Sequence, residues 1–155
     1  MLTAQVEDLA GHLEELKPFF PAHWEELGIF KDRMPLAPSY ARYLRATAGG
    51  EVTLVTVRRD GRLCGYAVFF LDFMPLHYGQ TPTARADIFY LPPEERRTGA
   101  GKAMFTQAEA ELRRRGIKCW WVGFKIDHDL EQFFRSMGFE PYETHCAKWL
   151  GGEDA

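Results

Sequence analysis

The residues best suited to chemistry form a short, basic, glycine-rich segment in the middle of the chain. It reads Arg96-Arg97-Thr98-Gly99-Ala100-Gly101-Lys102, with the spacing Arg-x-x-Gly-x-Gly. Glycines let a backbone approach an anion closely and leave its N–H groups free to donate. A helix that begins at such a segment adds its own unpaired N–H groups and the positive end of its dipole. The segment therefore predicts a binding site for a phosphate or pyrophosphate group.

Three other interpretations compete with a pyrophosphate site of this kind. A Walker A loop requires glycine at position 96 and Ser or Thr at position 103, where this chain has Arg96 and Ala103. A dinucleotide-binding fold places its glycines after the first strand of a parallel βαβ unit, whereas here a hairpin and a third strand are predicted to come first. A plain glycine-rich turn with solvated basic residues is the remaining alternative, and the surrounding order of elements argues against it.

The segments around this glycine-rich stretch are predicted to form a mixed sequence of helices and strands. Apolar residues recur at three- and four-residue steps in some segments and alternate in others, which distinguishes helices from strands. In chain order we expect a helix from Val6 to Leu16, helices at 22–27 and 38–47, a hairpin of strands at 52–57 and 63–71, a strand at 84–91, a helix at 101–115, a buried strand at 117–124, a helix from Asp127 or Asp129 to Met137, and a last strand or hairpin from Phe139 onward that includes 144–150. This order predicts one α/β domain over residues 1–155.

Composition limits the partners that this domain is expected to have. Its net charge of −3 arises from 22 acidic and 19 basic residues, so neither nucleic acid nor an anionic membrane is expected to bind. The longest apolar run, 66–71, is too short to span a bilayer, and the first ten residues do not have the pattern of a signal peptide. The three cysteines lack metal-ligand spacing, so we expect reduced thiols, no bound metal and a cytoplasmic protein.

Two motifs carry a resemblance to a known family. The stretch from Asp87 to Phe105 resembles motif A of the GCN5-related N-acetyltransferases (GNAT), and Phe133-Phe134-Arg135-Ser136-Met137-Gly138-Phe139 resembles the end of their motif B. The resemblance covers about residues 50–150 and extends to acetyltransferase-like proteins of bacteria and phages. It implies the acyl-CoA N-acyltransferase fold, a twisted mixed sheet with helices on both faces. It also implies acetyl-CoA as co-substrate, a primary amine of a small molecule or protein as acceptor, and a possible homodimer.

The resemblance assigns the cofactor-binding residues as well. Backbone groups of Phe89, Tyr90 and Leu91 would pair with the pantetheine arm of coenzyme A as if with a further strand. The N–H groups from Arg97 to Lys102 would hold the pyrophosphate, with positive charge from Arg96 nearby. The strands at 84–91 and 117–124 would diverge and leave room for the cofactor.

Acetyl transfer to an amine requires a base for the amine proton and a donor for the developing oxyanion. Asp87 lies where the family often carries an acidic base, and the resemblance makes it the candidate catalytic base. Its ordinary alternative is a polar residue at a strand edge or a partner for Arg85. The backbone N–H of Leu91 is the expected oxyanion donor.

The acid that protonates the departing thiolate is less clearly indicated. The family often uses a tyrosine in motif B, but the matching position in this chain is Phe134. Tyr142 is taken as the candidate catalytic acid, with His128 and His145 as alternatives, unless water alone assists the thiolate. The missing tyrosine also motivates a second hypothesis, a non-catalytic acyl-CoA-binding module of the same fold.

Two segments could shape the acceptor pocket. Trp24 and Glu25 could hold a cationic group through a ring face and a negative charge, and His77 with Tyr78 could line the same cleft. Each pair has an ordinary alternative, because a core tryptophan beside a solvated glutamate, or a packed surface loop, would give the same sequence.

Overall fold

Alternation of apolar side chains brings five segments of the chain together in one sheet. The strands are β1 (Leu2–Glu7), β2 (Val52–Arg59), β3 (Arg62–Asp72), β4 (Thr83–Tyr90) and β5 (Cys119–Trp121). They lie side by side in that order; the first four form antiparallel pairs, and β5 pairs with β4 in parallel. The structure is a computed structural model and describes residues 1–152.

Within the described residues, five α-helices cover the two faces of this sheet. They are α1 (Leu9–Leu16), α2 (Phe20–Leu27), α3 (Tyr40–Ala48), α4 (Ala100–Arg114) and α5 (Glu131–Ser136). Neighbouring strand residues point to opposite faces, so Leu54 packs with the side of α1–α3 while Val55 packs with α4 and α5. The predicted twisted mixed sheet with helices on both faces is confirmed. Within residues 1–152, no helix combines the length and apolar character needed to cross a membrane.

The first predicted helix is wrong at its start, because residues 2–7 form a strand. Leu2 and Ala4 pack against the cluster that contains α4, and the intervening polar residues point away, as expected for a strand with one buried face. Asp8 then separates the two elements. Its carboxylate accepts a hydrogen bond of 2.7 Å from the Gly11 N–H and so caps α1.

The C-terminal third departs from prediction more strongly. The buried strand expected at 117–124 is reduced to half-buried β5, three residues long. The helix expected up to Met137 is the shorter α5, and Asp129 accepts the Glu131 N–H at its start. The strand or hairpin expected from Phe139 onward is absent from the described residues, where 139–150 is irregular and almost entirely exposed. Since β5 pairs with β4 over only three residues, it offers a further strand little edge to extend.

Candidate active site

The loop after β4, residues 96–102, is called the phosphate loop below. Arg97 (φ 60°) and Gly99 (φ 89°) adopt the left-handed conformation, and such residues in a turn direct neighbouring N–H groups toward a common side. Helix α4 begins directly after Gly99, and no side chain in the described part of the chain caps it, so its first N–H groups are unpaired. The Thr98 hydroxyl donates to the Glu95 carbonyl at 2.7 Å and holds the loop in place. The loop thus has the geometry of an anion site at a helix N-terminus.

The basic side chains of the phosphate loop differ in their surroundings. Arg97 and Lys102 are exposed beside the loop. The Arg96 guanidinium instead donates to the Leu91 carbonyl at 2.9 Å and forms an ion pair of 2.6 Å with Glu26 on α2. Arg96 therefore ties the loop to α2, and its charge is already partnered.

Strands β4 and β5 diverge beside this loop. In the part of the chain that the structure describes, they pair only at Thr83 with Cys119, Ala84 with Trp120 and Arg85 with Trp121. Beyond Arg85, β4 continues to Tyr90 with β3 on one side and no strand on the other within residues 1–152. One edge of residues 86–90 is therefore open, and an extended amide-containing chain can pair with such an edge.

A β-bulge on β4 lies where this open edge begins. Val68 of β3 pairs with Ile88 and Phe69 pairs with Ala86, so Asp87 is the extra residue between them. A bulge changes which face of the sheet the following side chains occupy. Ala86 accordingly belongs to the α4 side and Ile88 to the α1–α3 side.

The carboxylate of Asp87 faces α3, where it accepts a hydrogen bond at Oδ2 from the Tyr43 hydroxyl. Loss of hydration between the cleft walls raises the pKa of the Asp87 carboxyl above its ordinary value, and the Tyr43 hydrogen bond acts in the opposite direction. Desolvation and the neighbouring Asp87 raise the pKa of Tyr43. Tyr43 therefore stays protonated and serves as a donor at neutral pH.

A cleft of about 650 Å³ opens beside Asp87. Its walls are formed by α2, the 28–38 loop, Tyr43, residues 86–89 of β4 and the 123–130 segment. One part of the cleft thus borders the open edge of β4, and the other lies under α2 and the 28–38 loop. The volume is in the range of ordinary small-molecule sites.

His23 of α2 is a second titratable group on the cleft wall. Its Nδ1 lies 2.7 Å from the hydroxyl of buried Tyr66, and its ring stacks on Tyr90 with centroids 4.8 Å apart. Burial lowers the pKa of His23 to about 4, against the opposing effect of the Glu26 charge, so the imidazole is neutral at pH 7. In residues 1–152, no group of three or more His, Cys, Asp or Glu side chains is placed to hold a metal ion.

The predicted pair Trp24 and Glu25 is already occupied by the chain itself. The Lys31 ammonium lies 3.1 Å from a Glu25 carboxylate oxygen and 6.0 Å from the centre of the Trp24 ring. Trp24 does line the cleft, whereas Glu25 does not. An acceptor cation is therefore not expected at Glu25.

The other predicted side chains divide between the cleft and the outside. His77 and Tyr78 are exposed in the loop before β4 and do not line the cleft. Tyr142 is 61% exposed and stacks on Trp121.

Phe134, in place of the family's tyrosine, is 3% exposed in the core beneath α4. His128 lines the cleft, with its Nε2 3.5 Å from Glu26.

Sequence reasoning missed Tyr43 and His23. Tyr43 is 44 residues from Asp87 along the chain, and only packing of α3 on the sheet brings them together. A polar aromatic residue on the inner face of a predicted helix was the signal available for Tyr43. His23 adjoins the predicted Trp24, and its tertiary partners could not be identified from sequence.

A mixed five-stranded sheet with helices on both faces, in which β4 and β5 pair over three residues and α4 follows a glycine-rich turn, has the arrangement of the acyl-CoA N-acyltransferase fold. The sequence matches the acetyltransferase (GNAT) family over residues 10–139, and the chain belongs to that family. No curated protein sequence matches it closely enough to serve as a relative.

Solved structures of acetyltransferases have the same fold. A GCN5-related N-acetyltransferase from Ralstonia eutropha JMP134 has a TM-score of 0.76 and 20% identity, covering 97% of this chain and 100% of that one. A predicted acetyltransferase from Clostridium acetobutylicum, solved with acetyl-CoA, has a TM-score of 0.74 and 16% identity over 97% of both chains. An aminoglycoside acetyltransferase from an uncultured soil metagenomic sample has a TM-score of 0.72 and 14% identity over 97% of both chains.

Proposed function

We propose that this protein transfers the acetyl group of acetyl-CoA to a primary amine of a small molecule or protein, in a complex that holds both substrates. The observation that carries the proposal is the position of Asp87. It lies at the bulge where the open edge of β4 begins, and it faces a cleft large enough for an acceptor. A thioester arm paired with that edge would bring its carbonyl carbon close to this carboxylate.

The phosphate loop supports the choice of coenzyme. Its unpaired N–H groups and the N-terminus of α4 suit a pyrophosphate, and Arg97 and Lys102 add positive charge beside it. The pantetheine arm contains two amide groups, which match the open edge at residues 86–90 as a further strand would. Leu91 is less suited to the oxyanion role expected for its N–H, since Leu91 is not among the residues that line the cleft. We assign that role to an N–H of the open edge.

Asp87 would prepare the acceptor for attack. An alkylammonium group, with a pKa near 10.4, is mostly charged at neutral pH and must lose a proton first. The raised pKa of Asp87 makes it a stronger base than an exposed aspartate. Tyr43 donates to Oδ2, so Oδ1 is the oxygen available to accept the proton. The neutral amine then forms the N–C bond, the C–S bond of the thioester breaks, and the nitrogen loses one further proton to solvent as the amide forms.

The departing thiolate takes up a proton, and His128 is our candidate donor. Of Tyr142, His128 and His145, it is the side chain that lines the cleft. Glu26 and Asp127 lie 3.5 Å and 3.3 Å from its two ring nitrogens. The buried Phe134 instead favours the alternative of a non-catalytic acyl-CoA-binding module, and turnover distinguishes the two.

The test combines titration calorimetry with acetyl-CoA and an assay of free thiol release with added amines. We expect acetyl-CoA binding and amine-dependent thiol release. Absence of affinity for any CoA species would overturn the whole proposal. Binding without thiol release for any amine would favour the binding module.

Two glycines that flank α4 give a matched pair of variants for the coenzyme site. Gly99 precedes the helix and Gly116 follows it; their φ angles are 89° and 80°, and an added Cβ meets no atom within 4 Å at either position. Alanine should therefore cost each variant a similar 1–2 kcal/mol, roughly, of backbone strain. Gly99→Ala should weaken acetyl-CoA binding about tenfold or more, because it disturbs charge-assisted hydrogen bonds, and Gly116→Ala should not. Equal affinities in the two variants would contradict the assignment of the loop.

A further inference from the structure

The wall of the cleft opposite the sheet is almost wholly apolar. We call it the apolar wall and define it by Phe20, Trp24, Leu27, Ile29, Met34 and Leu36. It combines the inner face of α2 with the 28–38 loop. Gly28 allows the chain to leave the helix, since a Cβ there would lie 2.6 Å from the Trp24 carbonyl oxygen.

Negative charge is scarce in this cleft. Among the described residues that line it, Asp87 is the one acidic side chain. The acidic side chains of α2 and the adjoining loop are engaged elsewhere, Glu25 with Lys31 and Asp32 with Arg33. Because each of these carboxylates already forms an ion pair, it is not available to pair with a second ammonium group of an acceptor.

The other charged side chains in and beside the cleft disfavour an acceptor with several positive charges. Glu26 lies outside the lining and pairs with Arg96 at 2.6 Å. Lys125 contributes a positive charge to the 123–130 wall. A second ammonium group on an acceptor would therefore meet apolar carbon or like charge, and burial of an unpaired charge is strongly unfavourable.

From this distribution we infer that the acceptor is a small monoamine whose amino group is carried on an apolar body, either a ring or a branched or straight hydrocarbon chain. The amino group lies at Asp87 and the body contacts the apolar wall. The inference rests on the proposed function and narrows it: polycations and lysine side chains of polar peptides are disfavoured. A polycationic acceptor would require several carboxylates along the cleft, whereas the described lining has one, Asp87.

The test compares amines that differ in one feature, with thiol release from acetyl-CoA as the readout. Pentylamine and 1,5-diaminopentane have the same chain and differ by one ammonium group, while 2-phenylethylamine and ethanolamine differ in the apolar body. We expect kcat/KM to be higher for pentylamine and for 2-phenylethylamine by about tenfold or more, from the contrast between an unpaired charge and apolar contact. Equal or better use of the diamine, spermidine, kanamycin or a lysine peptide would overturn the inference.

A charge placed on the apolar wall sharpens the test. Leu36 is 39% exposed, so Leu36→Glu should fold, and it should shift the kcat/KM ratio toward 1,5-diaminopentane. The control Leu76→Glu adds the same charge at a 99% exposed position outside the cleft and should leave the ratio unchanged. Thermal unfolding verifies that both variants are folded. An unchanged ratio in Leu36→Glu would also overturn the inference.

Failure of the inference and failure of the proposed function give different results. If diamines or peptides are acetylated as well as monoamines, acetyl transfer stands and only the acceptor class is wrong. If acetyl-CoA binds but none of these amines releases thiol, acetyl transfer to an amine and the acceptor class are both overturned.

Discussion

The phosphate loop and the apolar wall are proposed to serve one reaction, but different kinds of group build them. The loop at 96–102 depends on main-chain geometry: two left-handed residues and an uncapped helix start, all within seven consecutive positions. The acceptor side depends on side chains from α2, the 28–38 loop, α3 and β4. The loop can be predicted from consecutive residues of the sequence. The acceptor side forms only when segments distant along the chain pack together. Mutations should therefore act differently in the two regions.

The largest effect is expected on the acceptor side, at Asp87. Asp87→Asn should lower kcat by about 10²–10⁴, the range for loss of a general base, while the Kd for acetyl-CoA changes little. The deficit should shrink as the pH approaches the amine pKa, about 10.4, because a neutral acceptor requires no base. Steady-state rates from pH 7 to 10, with calorimetry for the coenzyme, measure this. A variant as active as the wild type at pH 7 would remove Asp87 from its role.

The next effect is on the pH dependence of the free energy of unfolding, and it arises from His23 on the acceptor side. Burial lowers the pKa of His23 in the folded protein to about 4, below the ordinary histidine value of 6.5. The unfolded chain therefore binds a proton at His23 more readily than the folded protein does. The stability that neutral His23 gives the folded state is complete above pH 6.5 and is lost as the pH falls toward 4. Between pH 7 and pH 4.5, the wild type should lose roughly 2–3 kcal/mol more unfolding free energy than His23→Gln, because the unfolded chain binds a proton at His23 that the folded protein does not.

Urea unfolding at the two pH values measures this difference. His77→Gln is the control, since His77 is exposed in the loop before β4, and it should lose as much stability as the wild type. The same pH dependence in His23→Gln would show that His23 is not the group responsible.

A smaller effect is expected from Tyr43, which positions Asp87. Tyr43→Phe removes one hydrogen bond to a carboxylate and should lower kcat/KM about tenfold, from a bond worth roughly 1.5 kcal/mol. The Tyr43 hydrogen bond lowers the Asp87 pKa, so its loss should move the acidic limb of the kcat/KM profile to higher pH. A reduced rate with an unmoved limb would indicate a structural role for Tyr43 instead.

The smallest effect is expected from a side chain of the phosphate loop. If main-chain groups dominate coenzyme binding, Arg97→Ala should weaken acetyl-CoA affinity only about threefold, since exposed charges contribute little and are screened by salt. The loss should diminish further at 0.5 M salt. Calorimetry at low and high salt checks this, with the Gly99→Ala variant for comparison. A larger loss in Arg97→Ala than in Gly99→Ala would reverse the contrast between the two regions.

The structure also shows which element boundaries cannot be predicted from short-range sequence patterns. Leu9, Leu13 and Leu16 predicted α1, but Val6 was assigned to the helix because its spacing also fits a helical period. Asp8 decides the boundary through its hydrogen bond to Gly11. At the other end, the strand predicted around 144–150 lacks a long partner edge, because β5 is only three residues long. A strand needs a neighbour, and the sequence of one strand does not supply it.

In the candidate active site, too, some residues could be predicted from the sequence but their partners and directions could not. Trp24 and Glu25 were expected to hold an acceptor cation, and Glu25 instead pairs with Lys31, six positions along the chain. Asp87 was expected from its place in the motif, but its direction depends on the bulge opposite Val68 and Phe69. Alternation alone cannot place such a residue, because one inserted position reverses the faces of the strand.

The sequence by itself determined the glycine-rich turn after β4, the helix that follows it and the family, because these depend on consecutive residues and because glycine readily adopts the positive φ found at Gly99. Tertiary structure decided which side chains meet Asp87 and which charges remain unpaired in the cleft. Tyr43 reaches Asp87 through packing of α3 on the sheet. Contacts of this kind arise from burial, which rewards apolar area without regard to distance along the chain.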